Sequence, residues 1–77
     1  MNGVADIELD LSGLLCPLPL LKTKQALNRM NSGQTIKVTA TDPGSVRDFQ
    51  VFAVQSGNLL LEMNDLDGEF HYLLQKS

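Results

Sequence analysis

The residue of this 77-residue chain best able to do covalent chemistry is Cys16, its only cysteine, set in the run LLCPLPLL directly before Pro17, Leu18 and Pro19. A thiolate is a strong nucleophile, and a backbone position that favours its charge makes one available. Proline suits the first position of a helix, because its missing N–H has no partner there and its φ is already helical. Pro17 and Pro19 therefore read as a stiff helix start, and a residue before proline is held extended. That places Cys16 at the N-cap or next to it, with its thiol aimed by the backbone. A helix N-terminus carries about half an elementary positive charge and lowers the pKa of a thiol beside it. The prolines remove two of the four free donors of the first turn and leave chiefly the Leu18 and Leu20 N–H groups, so the expected lowering is moderate. Lys22 and Lys24, about one turn further on, add only a screened positive potential.

The thiol lacks the partners that other cysteine chemistries require. A cysteine hydrolase needs a histidine beside its nucleophile, and His71, the only histidine, reads as an ordinary residue of the last strand. One cysteine makes no intramolecular disulfide, and Cys16 with a distant His71 has no metal-ligand spacing, so no metal is expected. Asp65, Asp67 and Glu69 straddle a turn and read as a solvated loop. A buried, inert cysteine is the plain alternative for Cys16, but a helix start beside Ser12-Gly13 belongs at the surface. Leu18 shares a helix side with Lys22, Gln25 and Arg29, which exposes an apolar residue beside the thiol, as a docking patch would.

The elements that hold Cys16 follow from periodicity. Ile7, Leu9 and Leu11 alternate with Glu8, Asp10 and Ser12, which predicts a strand over 5–11. From Pro17 the period becomes helical, with Leu20, Thr23 or Lys24, Leu27 and Met30 on one face, and Asn31-Ser32-Gly33 ends the helix with Gly33 as a left-handed cap. Thr35 to Thr41 alternates again as a second strand. Either Asp42-Pro43 as cap and first turn, or Ser45 with Asp48 as a capping box, starts a second helix. Its inward residues are Val46, Phe49, Ala53 and Phe52, and Gly57 stops it. The last third reads as two strands joined by a turn over 65–68, where Asp67-Gly68 is a hairpin signal. The order β-α-β-α-β-β gives an α+β fold, a two-layer sandwich of two helices on one face of a four-stranded mixed sheet. Glu8, Lys37 and Glu62 then fall on the solvated face, and residues 1–77 form one domain.

Composition narrows the function. At 43% hydrophobic residues the chain forms a core rather than staying disordered. A net charge of −3, with six basic residues that do not cluster, argues against direct nucleic-acid binding. No apolar run approaches the ~20 residues of a membrane span, and the start MNGVADIELD lacks a secretory signal, so a cytoplasmic protein is expected.

The stretches LSGLLCPLPLLKTKQAL, SGQTIKVTATDPGSVRDF and DGEFHYLLQK resemble the TusA/SirA-like family of small sulfur-carrier proteins over nearly the whole chain. The family's Cys-Pro-x-Pro is matched by Cys16, Pro17, Leu18 and Pro19, with Gly13 shortly before it. A second motif at the start of the second helix is matched by Asp42, Pro43, Arg47 and Asp48. The resemblance implies a carrier that accepts sulfane sulfur as a persulfide on Cys16 from a cysteine desulfurase or rhodanese-like donor and relays it to a downstream acceptor protein. Such a sulfurtransferase-type relay acts with partner enzymes, needs no cofactor of its own, and serves tRNA thiolation, molybdenum-cofactor synthesis, sulfur oxidation or selenium metabolism. Asp42, Arg47 and Asp48 read as framework, with Asp42 capping the second helix and Arg47 pairing with an acidic neighbour. Two positions depart from relatives: Ala53 stands where some members carry a second cysteine, and Leu18 replaces a charged residue. Two rival readings remain, a monothiol redox protein and a non-catalytic interaction module whose function would survive Cys16→Ser.

Overall fold

The structure is a computed structural model that describes residues 5–77. Its elements are β1 (Ile7–Leu11), α1 (Leu18–Leu27), β2 (Thr35–Ala40), α2 (Ser45–Ser56), β3 (Leu59–Leu66) and β4 (Glu69–Gln75). They form the α+β arrangement that the alternation of periods predicts, with one four-stranded sheet in the order β1-β2-β4-β3. β1 runs parallel to β2, and the other pairs are antiparallel, so the sheet is mixed. β1 starts at Ile7 rather than 5, because Asp6 turns its side chain on the ladder: Asp6 Oδ2 accepts the Thr35 N–H at 2.8 Å.

The inward residues come from the strand alternation and one stripe of each helix. Ile36, Val38 and Ala40 of β2 and Phe70, Tyr72 and Leu74 of β4 are buried, while Lys37 between them is exposed. Against them α1 sets Pro19, Thr23 and Leu27, four residues apart and so on one face. Thr23 rather than Lys24 takes the inward place, since its hydroxyl donates to the Pro19 carbonyl at 2.9 Å and leaves no buried polar group unpaired. α2 sets Phe49, whose ring stacks on Tyr72 with centroids 4.2 Å apart. Glu8, Lys37 and Glu62 lie exposed, as expected of the uncovered sheet face.

Three local expectations change. α1 ends at Leu27, not at 31–33, because the Arg29 and Met30 N–H groups bond back to Ala26 and Leu27 and tighten the last turn. Gly33 does take a left-handed φ of +89°, but it serves a later turn whose N–H donates to the Lys76 carbonyl at 2.8 Å. Neither proposed side-chain cap of α2 forms: the N-cap is Gly44, and no side chain bonds to the helix's free N–H groups. Gly57 ends α2 at φ +79°, and Asp67 (φ +52°) with Gly68 (φ +84°) makes the two-residue turn between β3 and β4. Within Leu59-Leu60-Leu61 a β-bulge between Leu60 and Glu62 leaves Leu61 as an extra residue. Only Leu60 of the three packs against the core.

β1 and β2 are parallel neighbours in register, Leu11 opposite Ala40, so the segments leaving them emerge side by side at one end of the sheet. The Gly13 N–H donates to Thr41 Oγ1 at 2.8 Å and ties the two segments together. Gly13 holds φ +83°, a value that favours glycine, which is the backbone reason for glycine at this turn.

Candidate functional site

Cys16 sits in the first of those segments, exposed and with a free thiol. The helix N-cap is Pro17, so Cys16 precedes the cap by one residue and Pro19 falls within the first turn, buried. The Cys16-Pro17 peptide is cis. The Leu18 N–H, one of the donors expected to face the sulfur, is instead engaged by the Leu15 carbonyl at 2.9 Å.

The second segment supplies the partners. The Cys16 N–H donates to Asp42 Oδ2 at 3.2 Å, and the Cys16 thiol donates to Asp48 Oδ2 at 3.0 Å. Asp42 therefore anchors the cysteine backbone rather than capping α2, whose first bond from that region runs from the Ser45 N–H to the Asp42 carbonyl. Asp48 stands in the first turn of α2. Its carboxylate reverses the expected electrostatics. An acceptor for the S–H stabilises the neutral thiol, and the charges of Asp48 and Asp42 oppose a thiolate, so the Cys16 pKa is held above the ordinary cysteine value. The largest cause is the bond to Asp48, then slight desolvation, then the two charges.

Gly44 completes the site and escaped the sequence reading. Its φ of −64° is ordinary, so space is what requires glycine there: a Cβ would lie 3.0 Å from Asp42 Oδ2 and 3.8 Å from the Cys16 Cβ. The same stretch secures the start of α2 from below, where Ser45 Oγ and the Tyr72 hydroxyl share a buried bond of 2.7 Å. Burial pushes the Tyr72 phenol up, against the pull of that bond. A Gly-Ser pair after Asp-Pro was the available signal, yet locally it reads as an ordinary helix start.

Three of the leucines close to Cys16 in sequence are exposed. Leu18 is exposed as expected, and Leu15 and Leu21 join it at 69% and 46% exposure. Other candidates lie apart. Arg47 is exposed and makes no ion pair among the described residues, so the expected acidic partner is absent. Lys24 reaches over the Phe52 ring at 5.4 Å, and Pro43 and Lys22 are exposed. His71 faces the uncovered side of the sheet, with Nδ1 3.3 Å from Thr39 Oγ1 and Nε2 3.3 Å from Glu69 Oε1. Asp65, Asp67 and Glu69 are exposed around the β3–β4 turn and form no joint site. Among the described residues no group of three His, Cys, Asp or Glu side chains is arranged to hold a metal ion.

Residues 7–76 match the family described as sulfurtransferase TusA. The chain is 58% identical over 72 residues to the sulfur carrier protein TusA of Allochromatium vinosum, covering 94% of this chain and 95% of that protein. It is 37% identical over 75 residues to the sulfur carrier protein TusA of Pseudomonas syringae, covering 97% and 89%. A relative from Aquifex aeolicus is 46% identical over 99% of this chain, which spans 39% of that protein's length. The crystal structure of a SirA-like protein from Desulfitobacterium hafniense shares the fold, with a TM-score of 0.80, 25% identity and coverage of 90% of this chain and 95% of that one.

Proposed function

Because the chain belongs to the TusA/SirA-like sulfurtransferase family, we propose that it carries sulfane sulfur as a persulfide on Cys16 and relays it between partner proteins. The observation that carries this reading is an exposed, backbone-anchored thiol, the single cysteine of the chain, with exposed Leu15, Leu18 and Leu21 close to it in sequence. Such a site suits exchange with a docked partner's sulfur rather than chemistry completed alone.

The transfer balances without a cofactor on this chain. The Cys16 thiolate attacks the terminal sulfur of a donor persulfide, a new S–S bond forms, the donor's S–S bond breaks, and the donor cysteine leaves as a thiolate that takes up a proton. Passing the sulfur on repeats the step with an acceptor thiolate as attacker and Cys16 as leaving group. The donor in this reading is a cysteine desulfurase or a rhodanese-like protein, and the acceptor feeds a sulfur-trafficking pathway such as tRNA thiolation or molybdenum-cofactor synthesis. Direct nucleic-acid binding is not part of it, given a net charge of −3. The carrier unit is one domain acting in the cytoplasm, and among the described residues no helix is long and apolar enough to cross a membrane. Pro17 and Pro19 stiffen the presentation of the thiol, Gly13 and Asp42 anchor its loop, and Leu18 contacts the partner.

The test is intact-mass spectrometry after incubation with cysteine and a cysteine desulfurase. The wild-type chain gains one sulfur that reduction removes, and Cys16→Ser gains none. A wild-type chain that gains nothing, with Cys16 unreactive toward iodoacetamide while folded, overturns the carrier reading in favour of a non-catalytic interaction module.

A further inference from the structure

The carboxylate of Asp48 meets two different sulfurs in the course of such a cycle. In the empty protein it accepts the Cys16 S–H at 3.0 Å, while Asp42 holds the Cys16 N–H at 3.2 Å. Asp48 lies in the first turn of α2, where the positive end of the helix favours an anionic side chain. No lysine or arginine nitrogen lies within 4.0 Å of either carboxylate among the described residues, where the ion pair found is that of His71 with Glu69. Of the nearby basic groups, Lys24 is turned onto Phe52, while Lys22 and Arg47, the latter next to Asp48 in sequence, are exposed and pair with neither carboxylate among the described residues. Sulfur with a proton to donate is held in this place, and sulfur bearing a negative charge is repelled from it.

We propose that Asp48 distinguishes the empty carrier from the loaded one: it grips the Cys16 thiol through its S–H and repels the persulfide, so that loading turns the sulfur away from Asp42 and Asp48 and out toward solvent. This rests on the persulfide reading above. Once loaded, Cys16 Sγ is bonded to Cβ and to the terminal sulfur and carries no hydrogen, so the bond to Asp48 is lost in the act of loading. The displaced proton ends on the donor's leaving thiolate. The terminal S–H of a persulfide is more acidic than that of a thiol, so the new outer sulfur is an anion where the thiol was neutral. Both Asp42 and Asp48 lie on the side it must avoid. After the acceptor removes the outer sulfur, the Cys16 thiolate takes a proton from solvent and the grip re-forms.

Two measurements on the full chain test this with Asp48→Asn, and with Asp48→Glu as a charge-preserving companion. The first is the pH profile of Cys16 alkylation by iodoacetamide in the empty protein. A carboxamide offers the thiolate an N–H donor where the carboxylate offered only an acceptor, so Asp48→Asn reacts several-fold faster than wild type at neutral pH and its profile moves to lower pH. Asp48→Glu stays nearer the wild-type profile. The second compares Tm before and after loading with inorganic polysulfide, with loading confirmed by mass. Loading lowers the Tm of the wild type, and this drop is markedly smaller in Asp48→Asn, where the charge of Asp42 alone remains. An unchanged alkylation profile in Asp48→Asn overturns the grip, and an equal Tm drop in both proteins overturns the load-dependent repulsion. Failure of every variant to gain sulfur contradicts the carrier reading instead, while the alkylation profile still decides whether Asp48 holds the thiol.

Discussion

Replacing Ser45 by alanine tests whether the buried hydroxyl pair under α2 fixes the end of the helix that bears Asp48. Ser45 and Tyr72 are each 1% exposed, and their oxygens are 2.7 Å apart. Ser45→Ala leaves the phenol O–H buried without its partner, which costs about 1–3 kcal/mol. Alanine's better helix propensity offsets at most about 0.5 kcal/mol of that. For a chain of this size 1 kcal/mol corresponds to about 4–8 °C in Tm, so a fall of roughly 5–15 °C is expected. Tyr72→Phe strands the serine hydroxyl instead and also destabilises. The double variant removes both polar groups at once, and the stacking on Phe49 survives in it, so its loss is smaller than the sum of the two single losses by about 1 kcal/mol or more. Urea unfolding of the four proteins, with m-values compared, measures the cycle. Additivity within about 0.5 kcal/mol would refute the reasoning, because it would mean that the two hydroxyls do not satisfy each other.

Gly44→Ala is expected to leave stability nearly unchanged, since its φ of −64° suits alanine and the substitution gains about 0.4–1 kcal/mol through the unfolded chain. The new Cβ displaces the Asp42 carboxylate, however, so amide hydrogen exchange at Cys16 accelerates while exchange in β2 and β4 does not; equal rates at Cys16 before and after would show that Asp42 is not its anchor. Stability should also fall at alkaline pH. The Tyr72 phenol and the Cys16 thiol both have raised pKa values in the folded state, so each contributes stability that is present below its unfolded pKa, about 10 and about 8.5, and is lost as pH rises through the folded value. A urea midpoint that holds to about pH 8 and declines beyond it is the expected result, and a midpoint that rises there contradicts the sign.

Local patterns carried most of the fold. Ile7-Leu9-Leu11 and Ile36-Val38-Ala40 alternate because each strand has one covered face, and Asp67-Gly68 allows the positive φ values that a two-residue turn needs. The readings that changed concern residues whose partners are distant in sequence. Asp42 and Ser45 have the chemistry of helix caps, and a local argument assigns them that role. In the folded chain a cysteine N–H 26 residues away and a tyrosine hydroxyl 27 residues away take them instead. The thiol followed the same rule: the helix end predicted a lowered pKa, while a carboxylate 32 residues along the chain raises it. Leu59-Leu60-Leu61 offered no alternation from which a bulge could be read.

That bulge bears on what the edge of the sheet offers to a second chain. β3 lies at the edge of the sheet, bonded on one side to β4 only, and it exposes Leu59, Leu61 and Leu66. A flat apolar edge of this sort would template the addition of further strands and seed aggregates. The extra residue at Leu61 breaks the even spacing of free N–H and C=O groups and increases the local twist. Glu62 and Asp65 add charge along the same strand, so a second chain approaching this edge meets an interrupted ladder and like charges. The irregularity in β3 thereby makes a leucine-rich edge a poorer template for the pairing of a second chain.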